Sequence, residues 1–167
     1  MIRLSWWNAA AALVVVAGGL AFVRGAVPQS AASTGGAASN SPPIVVSGAY
    51  IRVPASPDLA AVYMTIYNTT AAPDTLTSVI PGFGEEATIH AEVDGSMQGT
   101  PNGLVVPAHG SVVLKPSTGH VMVQNLYGTL TAGQSVNVEL DFSRAGPVLV
   151  TVPVIGIYDP VPAGAAK

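Results

Sequence analysis

The sequence contains no cysteine among its 167 residues. A domain built from it cannot be held together by disulfides, and the chain offers no thiol for a lipid anchor, a nucleophile or a metal ion. Such a domain must therefore be stabilised by its own hydrophobic core. A site for a soft metal ion would have to use imidazole and thioether donors instead of thiolate.

Charged residues are also scarce, at 9% of the chain. Between Ile44 and Ile155 there are three basic residues (Arg52, Lys115 and Arg144) against eight acidic ones. This balance has the wrong sign for a surface that binds a phosphate backbone, so the sequence argues against nucleic acid as a partner.

The common motifs of catalysis are absent as well. The chain has no HExxH, no GxSxG and no glycine-rich phosphate loop, and its nine carboxylates form no pattern that singles out an acid and base pair. The sequence therefore predicts a protein that is not an enzyme. A hydrolase assembled in space from serines and His90 or His120 stays open as an alternative that no motif favours.

One long apolar run is present at the N-terminus. Residues 4–23 carry no charge and lie between Arg3 and Arg24. This length fits either a cleaved signal peptide or a retained membrane anchor, and both place the rest of the chain outside the cytoplasm. We expect residues 1–26 to be this signal or anchor, and the Ala-, Ser-, Gly- and Pro-rich residues 27–43 to be a flexible linker.

The remaining sequence has the pattern of β-strands. Short runs rich in Val, Ile, Thr and Tyr alternate with Pro and Gly turns, and no stretch shows sustained helical periodicity. Asp94-Gly95 is a strong signal for a two-residue hairpin turn. The sequence predicts an all-β sandwich or barrel at residues 44–155, followed by a disordered tail at 156–167.

Histidine and methionine are the rare residues that could carry chemistry. In "GHVMVQNL", His120 and Met122 lie two apart on a predicted strand, so both side chains project from one face. Imidazole with thioether suits copper(I), whereas zinc, magnesium and calcium prefer other donors. His90 lies on another strand and Met97 follows the Asp94-Gly95 turn, so these two could face each other across a hairpin and complete a His2Met2 site.

Each of these residues also has an ordinary structural interpretation. His120 and Met122 could be a partly buried polar pair without a metal, and the same holds for His90 and Met97. Met64, in "VYMTIYN", is expected to fill the core. His109, in "PAHGS", is expected to be a solvated turn residue.

Four stretches carry a family resemblance: "AAVYMTIYNTTAAPDTL", "IHAEVDGSMQ", "LVVPAHGSVVLKPSTGHVMVQNL" and "VNVELDFSRAGPVLVTVPV". In this order they resemble the periplasmic copper chaperones of the PCuAC family. The resemblance implies a cupredoxin-like Greek-key β-sandwich or barrel with a His, a Met further along and a distant His-x-Met as copper ligands. His90, His120 and Met122 match that pattern. Met97 follows His90 more closely than the family Met does, and the position that aligns best with it is nearer Gly99.

The resemblance also implies a partner. PCuAC proteins carry copper(I), and copper(II) as a second oxidation state, to an acceptor such as the CuA site of cytochrome c oxidase subunit II or another copper chaperone. A copper storage or resistance protein would have the same site without that acceptor. A structural β-sandwich in which His and Met are incidental is the other alternative.

Overall fold

The computed structural model describes residues 41–165. The predicted signal or anchor segment, most of the predicted linker and the last two residues of the predicted tail lie outside this range. Among the described residues, no helix has the length and apolar character needed to cross a membrane.

The described chain is made of β-strands, which confirms the all-β prediction. Its ten strands are β1 (Ile44–Arg52), β2 (Leu59–Asn68), β3 (Asp74–Pro81), β4 (Gly84–Val93), β5 (Ser96–Gly99), β6 (Leu104–Val106), β7 (Ser111–Leu114), β8 (Gly119–Leu126), β9 (Ser135–Phe142) and β10 (Gly146–Ile155).

The strands follow one hydrogen-bonded path in the order β5-β4-β8-β2-β1-β10-β9-β3-β6, and β7 pairs with β2 beside β8. Neighbouring strands are antiparallel except β1 and β10, which run parallel. This parallel pair joins the two halves of the path, β5-β4-β8-β2-β1 and β10-β9-β3-β6. Buried residues from both halves belong to one hydrophobic core. The predicted hairpin turn is also confirmed, because Asp94 and Gly95 have φ angles of 51° and 78° and connect β4 to β5.

Side-chain alternation decides which residues enter this core. On β8, Val121 and Val123 are fully buried, and the residues between them point to the opposite face of the strand. On β2, Val62, Met64 and Ile66 are buried in the same way. The outer face of β4, β8 and β2 is therefore available to the polar and sulfur-bearing residues of these strands.

The chain after β10 contacts β1. Nη1 of Arg52 lies 3.0 Å from the carbonyl oxygen of Gly156, 2.7 Å from that of Ile157 and 3.1 Å from that of Asp159. At Gly48, where φ is 56°, an added Cβ would overlap the backbone of Gly164 and Ala165. The predicted disordered tail thus has defined contacts with β1 as far as residue 165. Composition did not indicate them because they are made with β1, which is far from the tail in the sequence.

Candidate metal centre

Two histidines lie opposite each other on neighbouring strands. β4 and β8 are antiparallel, and their register places His90 directly opposite His120. The centroids of the two imidazole rings are 5.2 Å apart. The adjacent residues Ile89 and Val121 are buried in the core, so both imidazoles project from the outer face. Strand pairing has therefore brought together two nitrogen donors that are far apart in the sequence.

Met122 lies on the same outer face as the two histidines. It is two residues beyond His120 on β8, opposite Thr88 of β4 and Ala61 of β2. Its side chain is half-buried and lines a recess of about 320 Å³ together with Tyr63 and other residues. We call the outer face that carries His90, His120 and Met122 the donor face.

Met97 is placed differently from the other donors. The register of β4 with β5 puts Gly99 opposite His90, and Met97 opposite Glu92. His90 and Met97 therefore face each other only diagonally, because Met97 lies two residues along β5 from the position opposite His90. Because Glu92 is two residues from His90, Met97 projects from the donor face as well. Its side chain is 40% exposed, which places it at the rim of the site.

The His90 imidazole has an unused nitrogen. Its Nδ1 is buried and has no hydrogen-bond partner within residues 41–165. A buried polar nitrogen without a partner costs about 1–3 kcal/mol. On the β5 side, a Cβ at position 99 would lie 3.8 Å from Cδ2 of His90. Glycine at this position therefore leaves that edge of the ring uncovered.

Burial and the neighbouring imidazole both affect His120. Burial lowers the pKa of His120 below its ordinary value of 6.5, and the charge of His90 lowers it further. Both causes favour the neutral imidazole, which is the form with a free nitrogen lone pair for a metal ion.

Two tyrosines extend the line of rings on the donor face. Tyr63 of β2 lies beside His120, with ring centroids 6.3 Å apart in an edge-to-face arrangement. Tyr50 of β1 pairs with Tyr63, and their centroids are 5.1 Å apart. Sequence reasoning did not include these tyrosines in the site. Alternation along β2 could have placed Tyr63 on the face opposite the core, but its neighbour on β8 depends on strand order.

The remaining histidine and methionine lie away from the donor face. Met64 is 1% exposed and belongs to the core, as the sequence predicts. His109 is exposed in the turn between β6 and β7, has a φ of 50°, and donates its backbone N–H to the carbonyl oxygen of Thr70. Its predicted position in a solvated turn is confirmed.

The donors on this face suit a soft cation. Among residues 41–165, no three His, Cys, Asp or Glu side chains are grouped so that they could hold a metal ion. The soft donors that share this face are two imidazoles and one thioether, with a second thioether and the exposed Glu92 carboxylate at the rim. Imidazole and thioether donors suit copper(I), whereas zinc sites use thiolate or carboxylate besides histidine.

Comparison with known proteins gives a family match over the folded residues. The model of a family described as "Putative lipoprotein LpqE-like" matches residues 44–154. A relative named "Putative lipoprotein Lxx21020", from Leifsonia xyli subsp. xyli, is 27% identical over an alignment of 115 residues that covers 66% of this chain and 69% of the relative.

Solved structures match the same fold. The copper-bound PCuAC domain from PmoF2 is 21% identical, with a TM-score of 0.60 over 68% of this chain and 93% of that domain. The apo PCuAC domain from PmoF1 is 23% identical, with a TM-score of 0.60 over 68% and 94%. CuI-DR1885 from Deinococcus radiodurans is 25% identical, with a TM-score of 0.59 over 69% and 79%. These matches confirm the cupredoxin-like fold that the resemblance implied.

Proposed function

The chain belongs to the LpqE-like family, and from this premise we propose that it is an extracytoplasmic copper(I) chaperone, a carrier and not an enzyme. The observation that supports this most is the convergence of His90, His120 and Met122 on one outer face. The similarity to CuI-DR1885 and to a copper-bound PCuAC domain supports copper as the cargo.

His90, His120 and Met122 would form the core of the ligand set, and Met97 would complete it. Met97 lies diagonally from His90 across the β4–β5 hairpin. Diagonal neighbours on one face are about 7–8 Å apart, within reach of long side chains. The flexible methionine side chain can therefore turn toward an ion held between the imidazoles. Nδ1 of His90 is buried without a hydrogen-bond partner. A bound ion would either serve as the partner of this nitrogen or turn the imidazole ring so that the nitrogen is no longer buried.

Carriage requires that copper can leave as well as bind. The proposed site has no thiolate, because the chain has no cysteine. A partner that offers cysteine and histidine can then take copper(I) by exchanging one ligand at a time, since thiolate is the stronger soft donor. The CuA site of cytochrome c oxidase subunit II, or another copper chaperone, is an acceptor of this chemistry. Copper(II) would rely mainly on the two imidazoles.

Export fits this role. The apolar segment at residues 4–23 would act as a signal peptide or membrane anchor, and residues 27–43 as the linker to the copper domain at residues 44–155. The relative from Leifsonia xyli is named a lipoprotein, which supports a place outside the cytoplasm. With a retained anchor, a flexible linker would let the domain search for its acceptor near the membrane.

A copper(I) titration of the full chain against a chromophoric chelator tests the proposal. We expect one-to-one binding that weakens strongly in His120→Ala and Met122→Ala, because each change removes a donor. His109→Ala is the matched control, since it removes an exposed imidazole away from the donor face. Met97→Ala reports whether the rim thioether is a ligand. A chain that cannot compete with the chelator for copper(I) would overturn the carrier function in favour of a structural β-sandwich. Binding that is equally strong in Met122→Ala would do the same.

A transfer assay separates a chaperone from a storage protein. Copper-loaded chain is mixed with an apo acceptor domain that carries a two-cysteine CuA site, and the copper content of each is measured after separation. A chaperone transfers its copper within the mixing time, whereas a storage protein retains it unless a strong chelator is added.

A further inference from the structure

Four aromatic rings form a continuous row across four strands. The row runs from His90 on β4 to His120 on β8, Tyr63 on β2 and Tyr50 on β1, with successive centroids 5.2, 6.3 and 5.1 Å apart. Tyr63 is half-buried, whereas Tyr50 is only 3% exposed. The row therefore leads from the proposed copper ligands to a phenol shielded from solvent.

A copper(I) carrier outside the cytoplasm faces a specific chemical hazard. Copper(I) reduces hydrogen peroxide by one electron, giving copper(II), hydroxide and a hydroxyl radical. One oxidisable ligand is the Met122 thioether. A hydroxyl radical takes one electron from it, giving hydroxide and a sulfur radical cation, and two such radical cations react with water to give one sulfoxide, one thioether and two protons. The sulfoxide replaces a soft sulfur donor with a polar group, so this oxidation would damage the site that carried the copper.

We propose that Tyr63 and Tyr50 form a relay that draws this oxidising equivalent away from the copper ligands, a role that rests on the proposed copper(I) function. In the first step, the hydroxyl radical takes a hydrogen atom from the Tyr63 phenol, which gives water and a Tyr63 phenoxyl radical. In the second step, one electron and one proton pass from Tyr50 to Tyr63, which restores the Tyr63 phenol and leaves the radical on Tyr50.

Position and chemistry both favour this direction. A phenol loses an electron and a proton together more readily than a thioether loses an electron, so Tyr63 competes with Met122 for the oxidant. The Arg52 guanidinium lies over the Tyr50 ring, 5.9 Å from its centroid, and ends the row at the side away from the histidines.

The test uses the full chain loaded with copper(I) and mixed with one equivalent of hydrogen peroxide. Rapidly frozen samples are examined by electron paramagnetic resonance for a tyrosyl radical, and Met122 sulfoxide is measured by peptide mass spectrometry. Tyr63→Phe keeps the ring and removes the phenol. Tyr67→Phe is the matched control, because Tyr67 lies on the same face of β2 but is 43% exposed and pairs with Val45 and Ser111 away from the histidines.

We expect a tyrosyl signal in the unaltered chain and in Tyr67→Phe, and loss of that signal in Tyr63→Phe together with a severalfold rise in Met122 sulfoxide. A signal that persists in Tyr63→Phe, or an unchanged sulfoxide yield, overturns the relay. The copper(I) titration on the same samples distinguishes the two proposals. A chain that binds no copper overturns the carrier function and the relay with it, whereas a loaded chain without a Tyr63-dependent signal overturns the relay alone.

Discussion

Acidification should weaken copper(I) binding by an amount that the donor set limits. A copper ion must replace a proton on each imidazole that holds one, whereas a thioether has no proton to lose. For an imidazole with the ordinary pKa of about 6.5, protonation weakens the apparent binding of copper about tenfold at about pH 5.5 and hardly at all at about pH 7.5. Two imidazoles of that ordinary pKa would together give a loss of about 100-fold. The lowered pKa of His120 reduces the share of the loss that His120 contributes.

Two variants make this prediction specific to the site. In His120→Ala one titrating donor is removed, so the loss between the two pH values should be smaller than in the unaltered chain. In Met122→Ala copper binds more weakly at both pH values, but the ratio between them should stay as in the unaltered chain because the missing donor does not titrate.

The assay is competition with a chromophoric copper(I) chelator under anaerobic conditions, corrected for protonation of the chelator itself. Far-ultraviolet circular dichroism at each pH verifies that the domain remains folded. The reasoning is refuted by an affinity that does not change between the two pH values. It is also refuted by a Met122→Ala variant whose pH dependence differs from that of the unaltered chain.

Two further predictions concern residues away from the donor face. Met64→Ala should cost about 2–5 kcal/mol of unfolding free energy, because it empties a fully buried core position. The folded variant should keep the copper(I) affinity of the unaltered chain. A weaker affinity would place Met64 in the site. Asp74 is 4% exposed, and its carboxylate accepts hydrogen bonds from the Ser143 hydroxyl and from the backbone N–H groups of Ala145, Thr75 and Arg144. Burial opposes the charge, but these bonds outweigh it and lower the pKa of Asp74 below 3.8. Asp74→Asn should therefore destabilise the domain by about 1–3 kcal/mol near neutral pH. Stability from a lowered folded-state pKa is fully present above the unfolded-state pKa and is lost as the pH falls through the folded-state pKa, so the difference should shrink over that range. Urea unfolding at several pH values measures both effects, and a constant difference down to strongly acidic pH would contradict this role.

The strands and their inward faces could be predicted from the sequence because alternation is a local property. In "GHVMVQNL" the period of two placed Val121 and Val123 in the core and His120 and Met122 on the opposite face, as the structure has them. The Asp94-Gly95 turn was predictable for a similar reason, since both positions need a positive φ.

The hairpin register could not be read from the sequence with the same certainty. Two residues along β5 separate the expected partner of His90, Met97, from the observed one, Gly99, which lies opposite the imidazole. Turn length and the pairing of β4 with β8 on its other side jointly set this register, so the outcome depends on more than the hairpin itself.

By itself, the sequence determined that the domain at residues 44–155 is all-β, that no thiol takes part in its chemistry, and that His120 and Met122 share a face. Only the tertiary structure decided that His90 lies opposite His120, that Tyr63 and Tyr50 continue the row, and that Arg52 holds the chain after β10. The physical reason is that alternation and turn geometry act over a few residues. Strand order and register, in contrast, come from closing one core with residues from both halves of the sheet.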